Sequence, residues 1–227
     1  MNYGVIGAMP SEIAGIKEHM ENVQEHKTGS LVFYTGQIGQ NTLTLVQCGV
    51  GKVNAAITAQ MLIDKFNAQA IINTGVAGAL GKDVKVLDVV ISTEVVHHDA
   101  DMRLYKKYPP FVDGFYGDPT LVARAAAAFE AMDHGNSHCY LGKIATGDQF
   151  IESSAVKADI VARHNPLCVE MEGAAVGHAC TANGVPFVII RTMSDNADEQ
   201  GGMSFDAMEK VAAKYSSNIV VAMVGGK

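Results

Sequence analysis

Short runs of β-branched residues alternate along the chain with longer segments whose apolar positions recur at steps of three and four. The short runs are typical of strands and the longer segments of amphipathic helices. Their alternation favours one α/β domain, residues 1–227, with a largely parallel sheet covered by helices. We predict strands at residues 3–8, 31–38, 42–48, 70–74, 89–96, 138–146, 168–169 and 187–192. We predict helices at residues 10–21, 53–66, 119–132, 155–164, 172–183 and 204–223.

Two of the predicted strands, 31–38 and 42–48, are separated only by Gly39-Gln40-Asn41. Strands joined by so short a turn run antiparallel, so the sheet is predicted to be mixed. The last predicted helix carries one apolar stripe that we expect to face the core. The stripe consists of Phe205, Met208, Val211, Tyr215, Ile219 and Met223. The one long irregular stretch is 99–118, and such a segment is usually a functional loop, a partner contact or locally disordered.

Composition narrows the possible partners. The 227 residues are 48% hydrophobic, enough for a substantial core, and carry a formal charge of −7. An acidic chain does not favour nucleic acid or an anionic membrane surface, because both require a basic patch. The start of the chain lacks the basic leader and cleavage site of a signal peptide, and no apolar run approaches about 20 residues. We therefore predict a cytoplasmic protein without a membrane span. The four cysteines are too far apart in sequence for a zinc knuckle.

Three acidic residues follow predicted strands: Glu12, Glu172 and Asp195. In open parallel sheets, ligands bind beyond the carboxyl ends of the strands, so these positions are candidates for a site. Each also has a structural explanation. Glu12 and Glu172 lie in predicted first helical turns, where an acid interacts well with the helix dipole, and Asp195 could begin a turn. Their joint occurrence after three strands favours the site.

Two glycine motifs, 48–52 and 74–79, are predicted to join a strand to a helix or loop, where glycine lets backbone amides approach a ligand. The first lacks the spacing of a Walker A loop, and Val53 stands where Ser or Thr is required. Neither matches the dinucleotide fingerprint.

Seven separated motifs carry a resemblance over almost the whole chain. They are, in order, residues 4–9 (GVIGAM) with Glu12, 49–52 (GVGK), 73–78 (NTGVAG), 98–101 (HDAD), 147–151 (GDQFI), 169–172 (VEME) and 194–195 (SD). Together they resemble the 5′-methylthioadenosine/S-adenosylhomocysteine nucleosidases. The resemblance implies a nucleoside phosphorylase-like fold, in which a mixed central sheet is partly closed into a barrel and surrounded by helices. It also implies a homodimer that needs neither a metal nor a cofactor.

Hydrolysis of an N-glycosidic bond requires a proton for the leaving base, stabilisation of a ribosyl cation and a water molecule positioned to attack the anomeric carbon. The resemblance makes Asp195 the acid that protonates adenine N7, with Ser194 orienting it. Glu12 is then the base that activates the water, and Glu172 accepts the ribose hydroxyls beside Met171.

The resemblance also assigns substrate contacts. Phe150 would stack on adenine, although a strand-end Phe is also explained as core, and the backbone at Ile151 would bond the edge of the base. Met9, Val50 and Phe205 would surround the sugar or alkylthio group. The NTGVAG motif adds Val76, Ala77 and Gly78 to the site. Met102 and Tyr105 match a loop that the partner subunit contributes to the site.

Two departures from the family pattern concern the sugar and tail region. Val76 stands where many members have Ser, which could alter a hydrogen bond near the ribose or water. The loop 99–118 differs in length and in its 103–107 sequence, RLYKK, so the preferred 5′ substituent stays open.

Other functions would require different residues from this chain. A nucleoside phosphorylase would hold phosphate with arginines, but the four arginines are Arg103, Arg124, Arg163 and Arg191, none in the first hundred residues. A related hydrolase could prefer 6-amino-6-deoxyfutalosine. A non-catalytic nucleoside sensor would be expected to have lost Glu12 or Asp195. The cluster 97–101 (HHDAD) could suggest a metal, but adjacent strand residues point to opposite faces.

Overall fold

The computed structural model describes residues 1–226. Its strands are β1 (Asn2–Gly7), β2 (Glu21–Thr28), β3 (Leu31–Ile38), β4 (Asn41–Gln47), β5 (Ala70–Ala79), β6 (Val89–His97), β7 (Phe115–Tyr116), β8 (Cys139–Thr146), β9 (Cys168–Glu170) and β10 (Phe187–Asp195). Its helices are α1 (Pro10–Glu18), α2 (Lys52–Phe66), α3 (Arg103–Lys107), α4 (Pro119–Glu130), α5 (Ser154–His164), α6 (Gly173–Asn183) and α7 (Gly201–Gly225). The predicted α/β class is confirmed.

Five strands close into a barrel. The order β10-β6-β8-β9-β5 returns to β10 through the β10–β5 pairing, and β1, β4, β3 and β2 extend the sheet from β5. β1 is parallel to β4 and β5, whereas β3 is antiparallel to β4 and β2. The predicted mixed sheet and its hairpin are therefore confirmed.

The helices cover the sheet in two groups that form its two main cores. α1, α4 and α7 pack on one side, over a core that includes Val5, Ile16 and Ile219. α2 and α6 pack together on the other side, over Leu62 and Val176. None of the helices in residues 1–226 combines the length and the apolar character required to cross a bilayer.

Near the start of the chain, one helix end was predicted wrongly and one strand was missed. The first helix ends at Glu18, not residue 21, and residues 21–28 form the strand β2. Nearly every side chain of β2 is exposed, so its sequence, ENVQEHKT, lacks the apolar alternation that marks a strand. Pairing with β3 in the hairpin region stabilises it instead.

The strands that carry the candidate site are longer than predicted. β5 continues from residue 74 to Ala79, and β10 continues from residue 192 to Asp195. The two extensions pair with each other in the barrel, and β5 also pairs with β9. The glycine motif at 74–79 is therefore part of a strand and not a connecting loop. The stretch 99–118 likewise contains α3 and β7.

The apolar stripe predicted for the last helix is only partly correct. Ile219 and Met223 are buried, but Val211 is 45% exposed. The buried face of α7 instead includes the small residues Ala212, Ala213, Ser216 and Ser217. Small side chains let the helix pack closely against β5, β10 and α1, which a pattern of large apolar residues does not register.

Candidate active site

A cleft encloses about 640 Å³ of space, part of it open to solvent, where β5, β9 and β10 end. The predicted residues that line it are Met9, Glu12, Val50, Val76, Ala77, Gly78, Phe150, Ile151, Met171, Glu172, Ser194, Asp195 and Phe205. The structure adds Ala8, Gln149, Val169, Glu170 and Ala197 to the lining. The three predicted carboxyl groups therefore share one mostly apolar cavity.

Glu12 is held by the turn that begins α1. Its Oε2 accepts hydrogen bonds from the backbone N–H groups of Ala8 at 2.6 Å and Met9 at 2.9 Å. Its Oε1 accepts another from the N–H of Val76 at 3.0 Å, which ties α1 to β5. Burial raises the pKa of Glu12, while Arg191 and the three N–H groups oppose that shift. A buried carboxyl with a raised pKa is a stronger base once it is ionised.

Glu172 lies between β9 and α6, at the N-cap position of the helix. Its Oε1 accepts a hydrogen bond from the N–H of Gly51 at 2.9 Å, and its Oε2 lies 3.5 Å from Arg191 Nη2. Burial, followed by the nearby charge of Glu170, raises the pKa of Glu172 to about 8. The Glu172 carboxyl therefore changes its protonation state near neutral pH.

Asp195 is the last residue of β10 and not, as predicted, a residue beyond the strand. The β10–β5 register shifts between Met193 and Asp195. The Asp195 Oδ2 accepts from the Ser194 hydroxyl at 2.8 Å, and Oδ1 accepts from the Ala197 N–H at 2.8 Å. Burial is the largest influence on its pKa and raises it, which favours the protonated form that a general acid needs.

Two buried charged residues were missed as site residues: Glu170, which lines the cleft, and Arg191, which lies behind it. Arg191 donates to Glu170 from Nε at 3.2 Å and also from Nη2, and it bonds Asn73 Oδ1 at 2.6 Å. Glu170 accepts in addition from the Thr146 hydroxyl and from the N–H groups of residues 172 and 173. Glu170 belongs to the VEME motif, and an arginine within the apolar run of β10 is itself a signal, because a buried arginine requires a partner.

The aromatic side chains lie at the mouth of the cleft. Phe150 is 46% exposed, so its explanation as a core residue is wrong. Its ring meets that of Phe205 edge to face, with centroids 5.5 Å apart. Ile151 is buried beside it. These rings provide an apolar surface on which a planar base could stack.

Met102 and Tyr105 do not line the cleft of their own chain. The Tyr105 ring packs against His178, with centroids 4.9 Å apart, and against His97 at 5.7 Å. Met102 packs against the core. Their contribution to the cleft of a partner subunit stays a prediction.

Three side chains of the 97–101 cluster make separate contacts. Asp99 pairs with Lys52 at 2.6 Å, Asp101 pairs with Arg103 at 2.7 Å, and His97 lies in the aromatic cluster around Tyr105. Within residues 1–226, no three His, Cys, Asp or Glu side chains are grouped as metal ligands would be.

The arginines are likewise occupied elsewhere. Arg103 pairs with Asp101, Arg124 bonds Tyr3, and Arg163 pairs with Asp159. Arg191 pairs with Glu170 and bonds Asn73. None of the four lines the cleft.

Known proteins resemble this chain over almost its whole length. The family profile described as "Phosphorylase superfamily" matches residues 2–225. A 5′-methylthioadenosine/S-adenosylhomocysteine nucleosidase from Neisseria meningitidis, solved with methylthio-immucillin-A, is 38% identical with a TM-score of 0.93, covering 100% of this chain and 99% of its own. An S-adenosylhomocysteine nucleosidase from Streptococcus pyogenes, solved with 5-methylthiotubericidin, is 35% identical with a TM-score of 0.92, covering 99% and 96%.

A futalosine hydrolase mutant from Helicobacter pylori is also similar, at 32% identity and a TM-score of 0.90, with 99% of this chain and 97% of its own covered. The predicted nucleoside phosphorylase-like fold is thus confirmed over the full length. The chain belongs to the phosphorylase superfamily, among its 5′-methylthioadenosine/S-adenosylhomocysteine nucleosidases.

Proposed function

We propose that this protein hydrolyses the N-glycosidic bond of 5′-methylthioadenosine and S-adenosylhomocysteine, releasing adenine and the 5-thio-substituted ribose. One observation carries the proposal: three buried carboxyl groups, Glu12, Glu172 and Asp195, line one apolar cleft. Cleavage of this bond makes a ribosyl cation and a basic leaving group, and it needs both a proton donor and negative charge nearby.

Asp195 is the proton donor in this proposal. Its proton passes to N7 of adenine while the C–N bond breaks and the electron pair of that bond moves to N9. The raised pKa of Asp195 supports this role, because the carboxyl then holds its proton closer to neutral pH. The Ser194 hydroxyl and the Ala197 N–H limit its rotation.

Glu12 and Glu172 act on the sugar side. Glu12 takes a proton from the water as the water oxygen forms its bond to the anomeric carbon. Glu172 accepts the ribose hydroxyls, and its ionised form stabilises the adjacent cation. The Gly51 N–H holds one oxygen of Glu172, and the other carboxylate oxygen lies 3.5 Å from Arg191.

The apolar residues of the cleft suit the remaining parts of the substrate. We place adenine against Phe150 and the backbone of Ile151, and the sugar beside Met171. Met9, Val50, Val76 and Phe205 receive the 5′ substituent. Val76 packs with Met9 and Phe205 in one apolar cluster, which supports a preference for a thioether over a 5′-hydroxyl.

Water, not phosphate, is the proposed nucleophile. A phosphate dianion would lie beside the carboxyl of Glu12, and no arginine lines the cleft to balance its charge. This disfavours a nucleoside phosphorylase. The similarity to a futalosine hydrolase keeps aminofutalosine as the second candidate substrate.

We further propose a cytoplasmic homodimer in which Met102 and Tyr105 complete the cleft of the partner. Their position outside the cleft of their own chain supports this arrangement. Leu104 and Tyr108 nearby are exposed apolar residues that a second subunit could cover.

The test is an assay of released base. Purified protein is incubated with methylthioadenosine, S-adenosylhomocysteine, adenosine, inosine and aminofutalosine, each with and without phosphate. We expect methylthioadenosine and S-adenosylhomocysteine to release adenine, each at the same rate with and without phosphate. Strict dependence on phosphate would reassign the protein as a phosphorylase, and release from aminofutalosine alone would make that the substrate.

A further inference from the structure

The segment that carries Asp195 leaves β10 in an unusual backbone conformation. The β10–β5 register shifts just before Asp195, and two residues later Ala197 has a φ of 49°. The left-handed region is unfavourable for a residue with a side chain. Such conformations persist where the surrounding structure holds them, so the contacts of this segment matter for the carboxyl it carries.

Lys157 of α5 makes two of those contacts. Its Nζ donates to the backbone carbonyl of Asn196 at 2.5 Å and to that of Ala79 at 2.9 Å. Ala79 is the last residue of β5, and Asn196 is the first residue after β10. One ammonium group therefore joins the ends of the two strands that carry Gly78 and Asp195.

The fit around Asp195 leaves little tolerance for movement. A Cβ atom at Gly78 would lie 2.8 Å from the Asp195 Oδ1 and 2.9 Å from the Ala197 Cβ. A small shift of β10 against β5 would therefore either push the carboxyl away from the cleft or open a gap behind it. Lys157 opposes both movements because it bonds to both strands.

We propose that Lys157 is a positioning residue for the general acid, holding the Asp195 carboxyl in place by joining the ends of β5 and β10. The inference rests on the proposed function, since it assumes that Asp195 protonates the leaving base. Lys157 does not line the cleft, so it acts through the backbone of residues 195–197 and not on the substrate.

The charge of Lys157 provides a readout that a purely structural role would not change. Two charged groups influence the pKa of Asp195: Lys157 from α5 and Asp198 from the segment before α7. The facing residue of β5 is Gly78, which carries no charge. Lys157 lowers the pKa of Asp195 and Asp198 raises it. Turnover should decline at the pH where Asp195 loses its proton. Removing the ammonium should therefore shift this decline to a higher pH.

The experiment compares Lys157→Met, Lys157→Gln and Lys157→Arg with the unsubstituted enzyme, using adenine release from methylthioadenosine across pH. For Lys157→Met we expect kcat to fall about 10- to 100-fold with a much smaller change in KM, because a misplaced acid affects the transition state more than binding. We also expect the alkaline limb of kcat to move upward. Lys157→Arg should recover most of kcat and restore the original alkaline limb of the pH profile. Lys157→Gln keeps a hydrogen-bond donor without the charge, so it should still shift that limb upward.

Lys143→Met is the matched control. Lys143 lies on β8, pairs with Glu94 at 3.1 Å and does not line the cleft. If Lys157→Met leaves both kcat and the alkaline limb of its pH profile unchanged, the inference is overturned but the proposed function stands. Lys157→Gln serves the same purpose if Lys157→Met does not fold. Equal losses in all three Lys157 variants with an unmoved limb would also overturn the inference. Absence of adenine release by the unsubstituted protein would instead overturn the proposed function, and this inference with it.

Discussion

Arg191 lies with its Nε 3.2 Å from the Glu170 Oε2, and both side chains are almost completely buried. The same guanidinium reaches Glu172 at 3.5 Å. Glu170 therefore neutralises a positive charge that would otherwise act fully on the carboxyl groups of the cleft. Thr146 and two backbone N–H groups hold Glu170 in position for this.

We expect Glu170→Gln to destabilise the protein and to lower the pKa of Glu172 from about 8, because the negative charge of Glu170 helps to raise it. Breaking a buried ion pair costs about 3 kcal/mol or more. Chemical denaturation gives the free energy of unfolding, and the pH profile of kcat/KM reports the carboxyl. Glu94→Gln, which breaks a partly exposed pair with Lys143, should cost under about 1 kcal/mol. Equal stability in the two variants would contradict this expectation.

Asp195→Asn should strongly reduce turnover while it preserves binding. The amide keeps an oxygen for the Ala197 N–H but has no acidic proton, so kcat should fall by about 10²- to 10⁴-fold. Equilibrium dialysis with methylthioadenosine is expected to give a Kd within a few fold of the unsubstituted protein. Asp64→Asn, at an exposed position on α2, is the control. Near-normal turnover in Asp195→Asn would remove the acid assignment.

Gly75→Ala tests the packing of Glu12. A Cβ atom at Gly75 would lie 2.7 Å from the Glu12 Cδ and 2.8 Å from the Arg191 Nη1. Because the added atom fits only if one of these buried groups shifts, we expect the Glu12 carboxyl to be displaced and kcat to fall about 10²-fold. The control is Gly225→Ala, whose added atom would meet the Ile38 Cγ2 at an ordinary 3.5 Å. Wild-type kcat in Gly75→Ala would show that the position of Glu12 does not limit turnover.

The stability of the protein should depend on pH through Glu172. Its pKa is raised from an ordinary 4.5 to about 8, so its contribution is complete below pH 4.5 and is lost as the pH rises through 8. Burial raises the pKa of Glu12 and Asp195 too, which adds contributions of the same sign.

We therefore expect the free energy of unfolding to fall between these two pH values, with Glu172 contributing at most ~1.4 kcal/mol per pH unit. Glu172→Gln, which stays neutral, should flatten the curve, whereas the exposed Glu18→Gln should leave it unchanged. Denaturant titrations across the range measure this. Stability that rises with pH over the same range would refute the sign.

Local patterns were sufficient for the features that depend on neighbours in sequence. The strand and helix alternation predicted the α/β class, and Glu12 could be placed because Pro10 and a preceding strand mark the start of α1. Glu172 could be placed for the same reason, since β9 ends two residues before it. The assignment of chemical roles to these acids depended on the resemblance.

The sequence by itself determined the class of fold, the hairpin and the two acids that follow strands, Glu12 and Glu172, because side-chain periodicity and turn residues act over a few positions. Only the tertiary structure decided that β5 and β10 extend through the glycine motif and close the barrel, because that extension depends on pairing between strands more than a hundred residues apart. It also decided that the buried Arg191 neutralises Glu170, which lines the cleft. A buried charge is tolerated only where distant segments supply its partner, and no local pattern specifies that partner.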